Sequence, residues 1–315
     1  MKTTVILHRC PSVSTLAAMS CFLVWLPPTH AAQEEHFPTA DDAIKAFTTA
    51  AANKDTNALE VIFGPSVREL VSADPVQASN GLVNFSRRVS EKVAPVKKTD
   101  SNFLLELGID SWPFPIPLVK QDGQWLFDTE AGKEEILNRR IGRNELDTIR
   151  VCHACAEAQR DYASEDHTGT GVLEYAQHLR SAPGQHDGLY WHAEPGEEIS
   201  PLGPLVAQAH VEGYTHESKI LTETQVPYHG YYFKILTRQG RHAPGGKYDY
   251  IINGHMIAGF ALVAWPAEWG NAGVMTFIIN QQCKVYEQNL GPKTAAKAGG
   301  MTTYDPGPDW KPTAE

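Results

Sequence analysis

The sequence has few cysteines, which excludes a fold stapled by several disulfides. Five occur in 315 residues, and two of them, Cys10 and Cys21, lie in an N-terminal segment that carries an export signal. The remaining Cys152, Cys155 and Cys283 permit one disulfide at most and leave one thiol over. The sequence leaves open whether that disulfide forms, and hydrophobic burial must hold the fold together.

Basic residues are also scarce. The chain has 27 Lys and Arg against 37 Asp and Glu. Without Lys2 and Arg9 of the export signal the balance is 25 to 37, a net charge of −12. A surface this acidic argues against nucleic acid and against electrostatic binding to anionic lipid.

The N-terminal segment resembles a secretory signal peptide. Lys2 and Arg9 form a basic start, residues 13–26 are apolar, and Thr29-His30-Ala31 ends in a small residue. The apolar run is shorter than the ~20 residues that span a bilayer, and no later run is longer. The sequence therefore predicts cleavage after Ala31 and a periplasmic or secreted product without a membrane span.

Short catalytic motifs are missing, so the sequence predicts neither a cofactor nor a metal site. There is no GxSxG, HExxH or Walker pattern. Ten histidines fall between His153 and His255, but without ligand spacing they favour surface roles. Cys152 and Cys155 lie in mid-helix, which favours core packing over a disulfide, a metal or redox chemistry.

The first half of the mature chain predicts helices followed by strands. Thr39 and the pair Asp74-Pro75 are typical of helix starts, and apolar side chains recur behind them at helical spacing. Alternating side chains over 103–109 predict a strand, and Asp122-Gly123 predicts a tight hairpin.

The second half predicts a helix, a long irregular segment and a sheet. Helical residues 132–140 are expected to end near Gly142, and a new helix is expected from Asn144 to Tyr162. Residues 164–224 contain many Pro and Gly, although Leu189-Tyr190-Trp191 is apolar enough to dock on the sheet. Four main strands follow within 231–288, and the tail after Gly291 is interpreted as a strap anchored by Trp310.

Several segments resemble one known family. They are AEAQRDYASED, GVLEYAQHLRSAPGQHDGLYW, GYYFKILTRQG, APGGKYDYIINGHMIAGFALVAWPAEWGNAGVMTFIIN and VYEQNLGPKT. Together they resemble the uncharacterised bacterial exported family called domain of unknown function 2950, over essentially the whole mature chain. Cys155 stands where an aromatic residue is expected, and Gln281-Gln282-Cys283 replaces a polar turn. The resemblance implies no activity, because none is established for the family.

Two weaker resemblances concern architecture. AIKAFTTAAANKDTNALEVIFGP is similar to the opening helix pair of NTF2-like (cystatin-like) cones, and the GYYF and GVMTFIIN strands resemble the globular part of type IV pilins. They imply an α+β fold of two modules. The expected division is a signal peptide (1–31), an NTF2-like domain (32–142), a pilin-like domain (143–291) and a C-terminal strap (292–315).

Two groups of side chains are candidates for ligand binding. Charge is concentrated at the predicted module boundary, where Arg140, Arg143 and Glu145 suit either contacts between modules or an anion site. Aromatic residues suit either the core or a groove for sugars or peptides. This second group comprises Tyr190, Trp191, Tyr231 and Tyr232, with Trp265 and Trp269 beside them.

The leading functional hypothesis is a non-enzymatic envelope protein that binds an unknown envelope protein or small ligand. The alternative is a hydrolase or isomerase with Asp110, Trp112 and Asp128 at the mouth of the N-terminal cone. A metal-handling protein is the third. A cone filled by side chains would move the search to the loop that carries Tyr190 and Trp191.

Overall fold

The computed structural model describes residues 34–214 and 226–314. The predicted signal peptide lies outside the described residues. Residues 32–315 pack into one unit, which contains two separate hydrophobic clusters.

The N-terminal helices begin at the capping residues that the sequence predicts. Thr39 accepts a hydrogen bond from the Asp42 N–H, and Asp74 accepts two from the N–H groups of Val76 and Gln77. These bonds satisfy amide groups that have no partner inside a helix. The helices are α1 (Ala40–Ala52), α2 (Thr56–Phe63), a 3-10 helix (Pro65–Leu70) and α3 (Pro75–Glu91).

An antiparallel sheet follows, in the order β1-β2-β4-β5 with β3 paired to β2. The predicted hairpin is confirmed, because Asp122 and Gly123 adopt φ values of 49° and 85° between β4 and β5. The predicted strand over 103–109 stops at Leu107, and Ile109 is 82% exposed. The strands are β1 (Val93–Thr99), β2 (Asn102–Leu107), β3 (Trp112–Pro113), β4 (Leu118–Gln121) and β5 (Gln124–Phe127).

One helix, α4 (Thr129–Tyr162), runs for 34 residues through both halves of the chain. The prediction that a helix ends at Gly142 and another begins at Asn144 is wrong. A glycine inside a helix costs only about 1 kcal/mol relative to alanine, and packing on both sides offsets that cost. Asn144 does not cap a helix; its side chain bonds laterally to Gln77 and to the Ala272 carbonyl.

The described residues between α4 and the second sheet, 163–214 and 226–230, have little regular structure, as their Pro and Gly content predicts; the rest of the predicted irregular segment, from residue 215, lies outside the described residues. Leu189, Tyr190 and Trp191 are all buried in the C-terminal hydrophobic cluster, and the strand Gly188–Tyr190 contacts α4. The regular elements are β6 (His178–Arg180), β7 (Gly188–Tyr190) and α5 (Gly203–Val211), with β6 and β7 paired in parallel.

The C-terminal sheet has five strands in the order β17-β15-β14-β13-β8, and each neighbouring pair is antiparallel. Several short strands and one helix lie beside this sheet. The elements are β8 (Tyr231–Leu236), β9 (Arg238–Gln239), β10 (Tyr248–Asp249), β11 (Ile251–Ile252), β12 (His255–Met256), β13 (Ala261–Pro266), β14 (Thr276–Asn280), β15 (Tyr286–Gln288), α6 (Thr294–Gly299), β16 (Thr303–Tyr304) and β17 (Lys311–Pro312).

The two hydrophobic clusters divide along α4. Ile136 and Leu137 in its first half pack against the N-terminal cluster, whereas Val151 and Cys155 in its second half belong to the C-terminal cluster. The helices and antiparallel sheets confirm the predicted α+β class. The described residues contain no helix that combines the length and the apolarity required to cross a bilayer.

The two halves meet at a buried carboxylate. Asp74 is fully buried, and its Oδ2 accepts hydrogen bonds from the Tyr214 hydroxyl (2.6 Å) and the Gly230 N–H (3.1 Å). Its Oδ1 caps α3 at the same time. One side chain therefore joins α3 to two segments of the C-terminal half.

Candidate functional site

The interior of the N-terminal cone is filled. Five phenylalanines from the helices and the sheet pack with ring centroids 5.3 to 6.0 Å apart, a separation typical of aromatic contacts in cores. They are Phe47, Phe63, Phe85, Phe114 and Phe127. The space between these helices and the sheet is therefore occupied by aromatic side chains.

The candidate catalytic residues of the cone have structural partners. Arg88 Nη1 donates to both oxygens of the Asp110 carboxylate, at 2.5 and 2.6 Å. This hydrogen-bonded guanidinium lowers the pKa of Asp110. Asp128 caps α4 through the Ala131 N–H. Trp112 lies beneath the guanidinium groups of Arg88 and Arg139, at 5.6 and 5.4 Å.

The charged residues near the module boundary bind backbone atoms. Arg140 donates to the carbonyls of Leu70 and Val71 and to Asn271 Oδ1, and burial lowers its pKa. Glu145 Oε1 accepts the N–H groups of Val274 and Met275, both at 2.9 Å. Arg143, by contrast, is exposed. Arg140 and Glu145 thus connect α4 to the loop before β14, and Arg140 also reaches the 3-10 helix.

The predicted aromatic groove is divided by the sheet. Tyr231 is fully buried and donates to the Met275 carbonyl, whereas Tyr232, on the opposite face of β8, packs against Trp265 at 5.8 Å. Tyr190 and Trp191 lie elsewhere, beside the end of α4. Because successive side chains of a strand point to opposite faces, these six aromatics do not form one groove.

Cys152 and Cys155 are core residues with free thiols. Burial raises the pKa of Cys155 to about 12 and that of Cys152 well above its usual value. Reactive thiols have a lowered pKa instead. Cys283 is also a free thiol, at a half-buried turn.

A polar pocket of about 180 Å³ opens where α4 ends. Tyr162, the last residue of the helix, donates its hydroxyl proton to the His186 carbonyl at 2.6 Å, and its ring lies 4.5 Å from that of His167. Side chains from three consecutive parts of the chain form the walls. They are Tyr162, Thr168, Glu174, Tyr175, Gln177, His178 and Asp187.

The loop after α4 is shaped by Asp166. Its carboxylate accepts the N–H groups of Thr168, Thr170 and Gly171 at 2.7 to 3.3 Å. These backbone hydrogen bonds, that of Gly171 foremost, lower the pKa of Asp166. The folded loop brings Thr168 against Glu174, with 3.3 Å between Oγ1 and Oε1.

Glu174 fixes the opposite wall of the pocket. It is 7% exposed, and its carboxylate contacts His255 Nδ1 at 3.1 Å and accepts the Met256 N–H at 3.2 Å. Gln177 donates to the Gly254 carbonyl at 2.6 Å. These contacts hold the β11–β12 hairpin beside the segment that carries the pocket residues.

The remaining wall comes from the loop between β6 and β7. Asp187 accepts the Ala182 N–H at 2.9 Å, which closes this loop. The imidazole of the exposed His186 stacks on Trp191, with centroids 4.3 Å apart and planes inclined by 15°. Trp191 is therefore not a pocket wall itself, but it supports the loop that supplies Asp187.

The sequence analysis did not single out the polar residues of this pocket. Tyr190 and Trp191 follow the loop that supplies Asp187, and Glu174, Gln177 and Asp187 lie inside the segment GVLEYAQHLRSAPGQHDGLYW, which served only to indicate a family. The cue that was available is Asp166 with closely spaced Thr and Gly residues, which is typical of a loop folded around one carboxylate. Residues 34–214 and 226–314 contain no group of three or more His, Cys, Asp or Glu arranged to hold a metal ion.

Comparison with known proteins places the chain in one family. It matches the family described as protein of unknown function (DUF2950) over residues 34–313. The chain belongs to this family, as its motifs predict. No curated protein and no solved structure matches it significantly, so the NTF2-like and pilin-like resemblances stay predictions.

Proposed function

We propose that this chain is an exported, non-enzymatic binding protein of the cell envelope, whose ligand occupies the pocket at the end of α4. The observation that carries the proposal is the pocket itself, with polar walls from the end of α4, the segment 168–178 and Asp187. Small-molecule sites are typically concave and largely preformed, with a few polar groups that fix the ligand. A larger groove of about 670 Å³ lies along α1 and α2 in the N-terminal half, and the α4 pocket is preferred because its polar groups are held by contacts with several parts of the chain.

The side chains that line the pocket are held in place by hydrogen bonds to other parts of the chain. Glu174 and Asp187 are each held by backbone amides, and Gln159 on α4 clamps the backbone of Ala176 through two bonds of 2.8 and 2.9 Å. A side chain that is already ordered loses little conformational entropy when a ligand binds. This ordered arrangement supports recognition of a ligand.

The test is a binding screen of the chain from residue 32 onward. Amino acids, polyamines, monosaccharides and dicarboxylates serve as probes, with thermal unfolding as the readout, because a ligand that binds only the folded state raises Tm. Thr168→Phe is expected to block the pocket and abolish any Tm shift. Thr170→Phe, two residues along the same loop and outside the pocket wall, is the matched control. Equal Tm shifts in both variants would show that binding occurs elsewhere.

A further inference from the structure

The walls of the α4 pocket carry negative charge that the pocket itself does not balance. Glu174 and Asp187 line it, and Asp166 organises the loop that supplies Thr168. Burial and then the charges of Glu174, Asp187 and Asp166 raise the pKa of Tyr162 to about 12. Burial is the larger cause, and the three carboxylates add to it because negative charge near the hydroxyl opposes its ionisation.

Positive groups around the pocket are few. Of the described residues that line it, none is Lys or Arg, and His178 is the single imidazole. His255 contacts Glu174 from outside the wall, and the nearby His167 lies 3.4 Å from the Glu198 carboxylate. A ligand that brings its own positive charge would balance the carboxylates of this described lining.

Two tyrosines share the pocket with these carboxylates. Tyr162 and Tyr175 line it, and Tyr175 is held by Phe260, with ring centroids 5.0 Å apart. Aromatic rings beside carboxylates suit organic cations, because a cation is attracted both by the ring and by the negative charge. The volume of about 180 Å³ equals roughly six waters at ~30 Å³ each, so the bound group is small.

We infer that the α4 pocket binds an alkylammonium or guanidinium group, with Glu174 and Asp187 as the specificity-determining carboxylates. This inference rests on the proposed binding function and adds the chemical class of the ligand. The neutral lining groups, Thr168 and Gln177, already use polar atoms on Glu174 and on the Gly254 carbonyl. Glu174 and Asp187 also accept bonds within the chain, but they are the lining groups that carry negative charge and so select the ligand by charge.

The experiment compares probes of one shape and different charge. n-Butylammonium, n-butanol and n-butyrate are titrated into the labelled chain from residue 32 onward, and amide NMR shifts of residues 168–188 are followed. Saturable shifts are expected with n-butylammonium, and binding of the other two is expected to be roughly tenfold or more weaker because they lack charge-assisted hydrogen bonds. Asp187→Asn should weaken n-butylammonium by a similar factor, since it removes the charge and keeps an oxygen for the Ala182 N–H.

Two further variants make the result decisive. Glu174→Gln should also weaken binding, with circular dichroism to verify folding because Glu174 holds the β11–β12 hairpin. Asp122→Asn, an exposed turn position in the N-terminal half, has the same change in net charge and should leave affinity unchanged. An equal loss in Asp122→Asn would overturn the inference by showing a bulk charge effect.

The outcomes separate this inference from the proposed function. If n-butanol binds as well as n-butylammonium, the charge inference fails and the pocket remains a ligand site. If calcium chloride shifts the same amides and n-butylammonium does not, the site selects a metal ion and the inference also fails. If no probe shifts these amides, and the metabolite screen is negative as well, both proposals fail together.

Discussion

Replacing Asp74 tests the contact between the two halves most directly. Its Oδ1 accepts the N–H groups of Val76 and Gln77 at 2.9 and 3.2 Å, and its Oδ2 accepts the Tyr214 hydroxyl and the Gly230 N–H. Asp74→Asn can retain the first pair through its amide oxygen, because Asn caps helices as well as Asp. On the other side it places an NH₂ group against the Gly230 N–H.

The expected loss follows from that mismatch. A buried donor without a partner costs about 1–3 kcal/mol, and a hydrogen bond to a charged group contributes about 1.5–3 kcal/mol. Tyr214 can rotate its hydroxyl and accept from the new amide, which recovers part of the loss. We therefore expect Asp74→Asn to lower the free energy of unfolding by about 2–4 kcal/mol, and Asp74→Ala to cost about 1 kcal/mol more through loss of the cap.

The assay is urea unfolding of the chain from residue 32, with Asp55 as the matched control. Asp55 also caps a helix, α2, but it is exposed and contacts no second segment through the bonds described. Asp55→Asn should be neutral within about 0.5 kcal/mol. Tyr214→Phe combined with Asp74→Asn should be non-additive by about 0.5–3 kcal/mol, since both changes affect one contact. If Asp74→Asn unfolds at the same urea concentration as Asp55→Asn, Asp74 does not stabilise the contact.

Two further predictions concern α4 and the tyrosines. Gly142→Ala should stabilise the chain by about 0.5–1 kcal/mol, because a Cβ there meets no atom within 4 Å. Gly132→Ala in the same helix should destabilise it by about 1–3 kcal/mol, because its Cβ would lie 2.8 Å from Ile116. The midpoints of urea unfolding measure both effects, and a lower midpoint for Gly142→Ala would contradict an unbroken helix. Burial raises the pKa of six of the eleven tyrosines in the folded chain, to about 12 for Tyr162. These six therefore stabilise the fold below pH ~10, and this stabilisation is lost as the pH rises toward their pKa values in the folded chain. Absorbance at 295 nm should show these six ionising together with unfolding, and a single reversible titration of all eleven in a folded chain would refute this. The six are Tyr162, Tyr214, Tyr228, Tyr231, Tyr250 and Tyr304.

Local signals in the sequence predicted the elements whose causes are local. Thr39 and Asp74 start helices because their side chains reach amides two or three residues away, and Asp122-Gly123 forms a turn from its own dihedral preferences. The edge strand β1 was missed because Pro95, Lys97 and Lys98 weaken its pattern. Such residues are typical of edges, where they discourage pairing with another chain.

Features that depend on distant contacts were not predictable in the same way. Gly142 was predicted to end a helix because glycine has a low helix propensity. The packing that offsets this propensity involves residues elsewhere in the chain, which the local sequence does not indicate. Arg140 looked like an anion site, but its donors are used by carbonyls about seventy residues earlier and by Asn271. The pocket residues are brought together by the pairing of Glu174 and Gln177 with the β11–β12 hairpin, about eighty residues away.

The course of α4 explains why the pocket lies where it does. Its first half contributes Ile136 and Leu137 to the N-terminal cluster, and its second half is buried against the C-terminal sheet. Along these stretches Arg140 and Glu145 are already bonded to the chain, Arg140 to the carbonyls of Leu70 and Val71 and Glu145 to amides before β14. Only at Tyr162 does the helix stop, and there a polar hydroxyl meets loops whose backbone is ordered by Asp166, Glu174 and Asp187. A ligand site is therefore expected where the packing of the long helix ends, at the far end of α4.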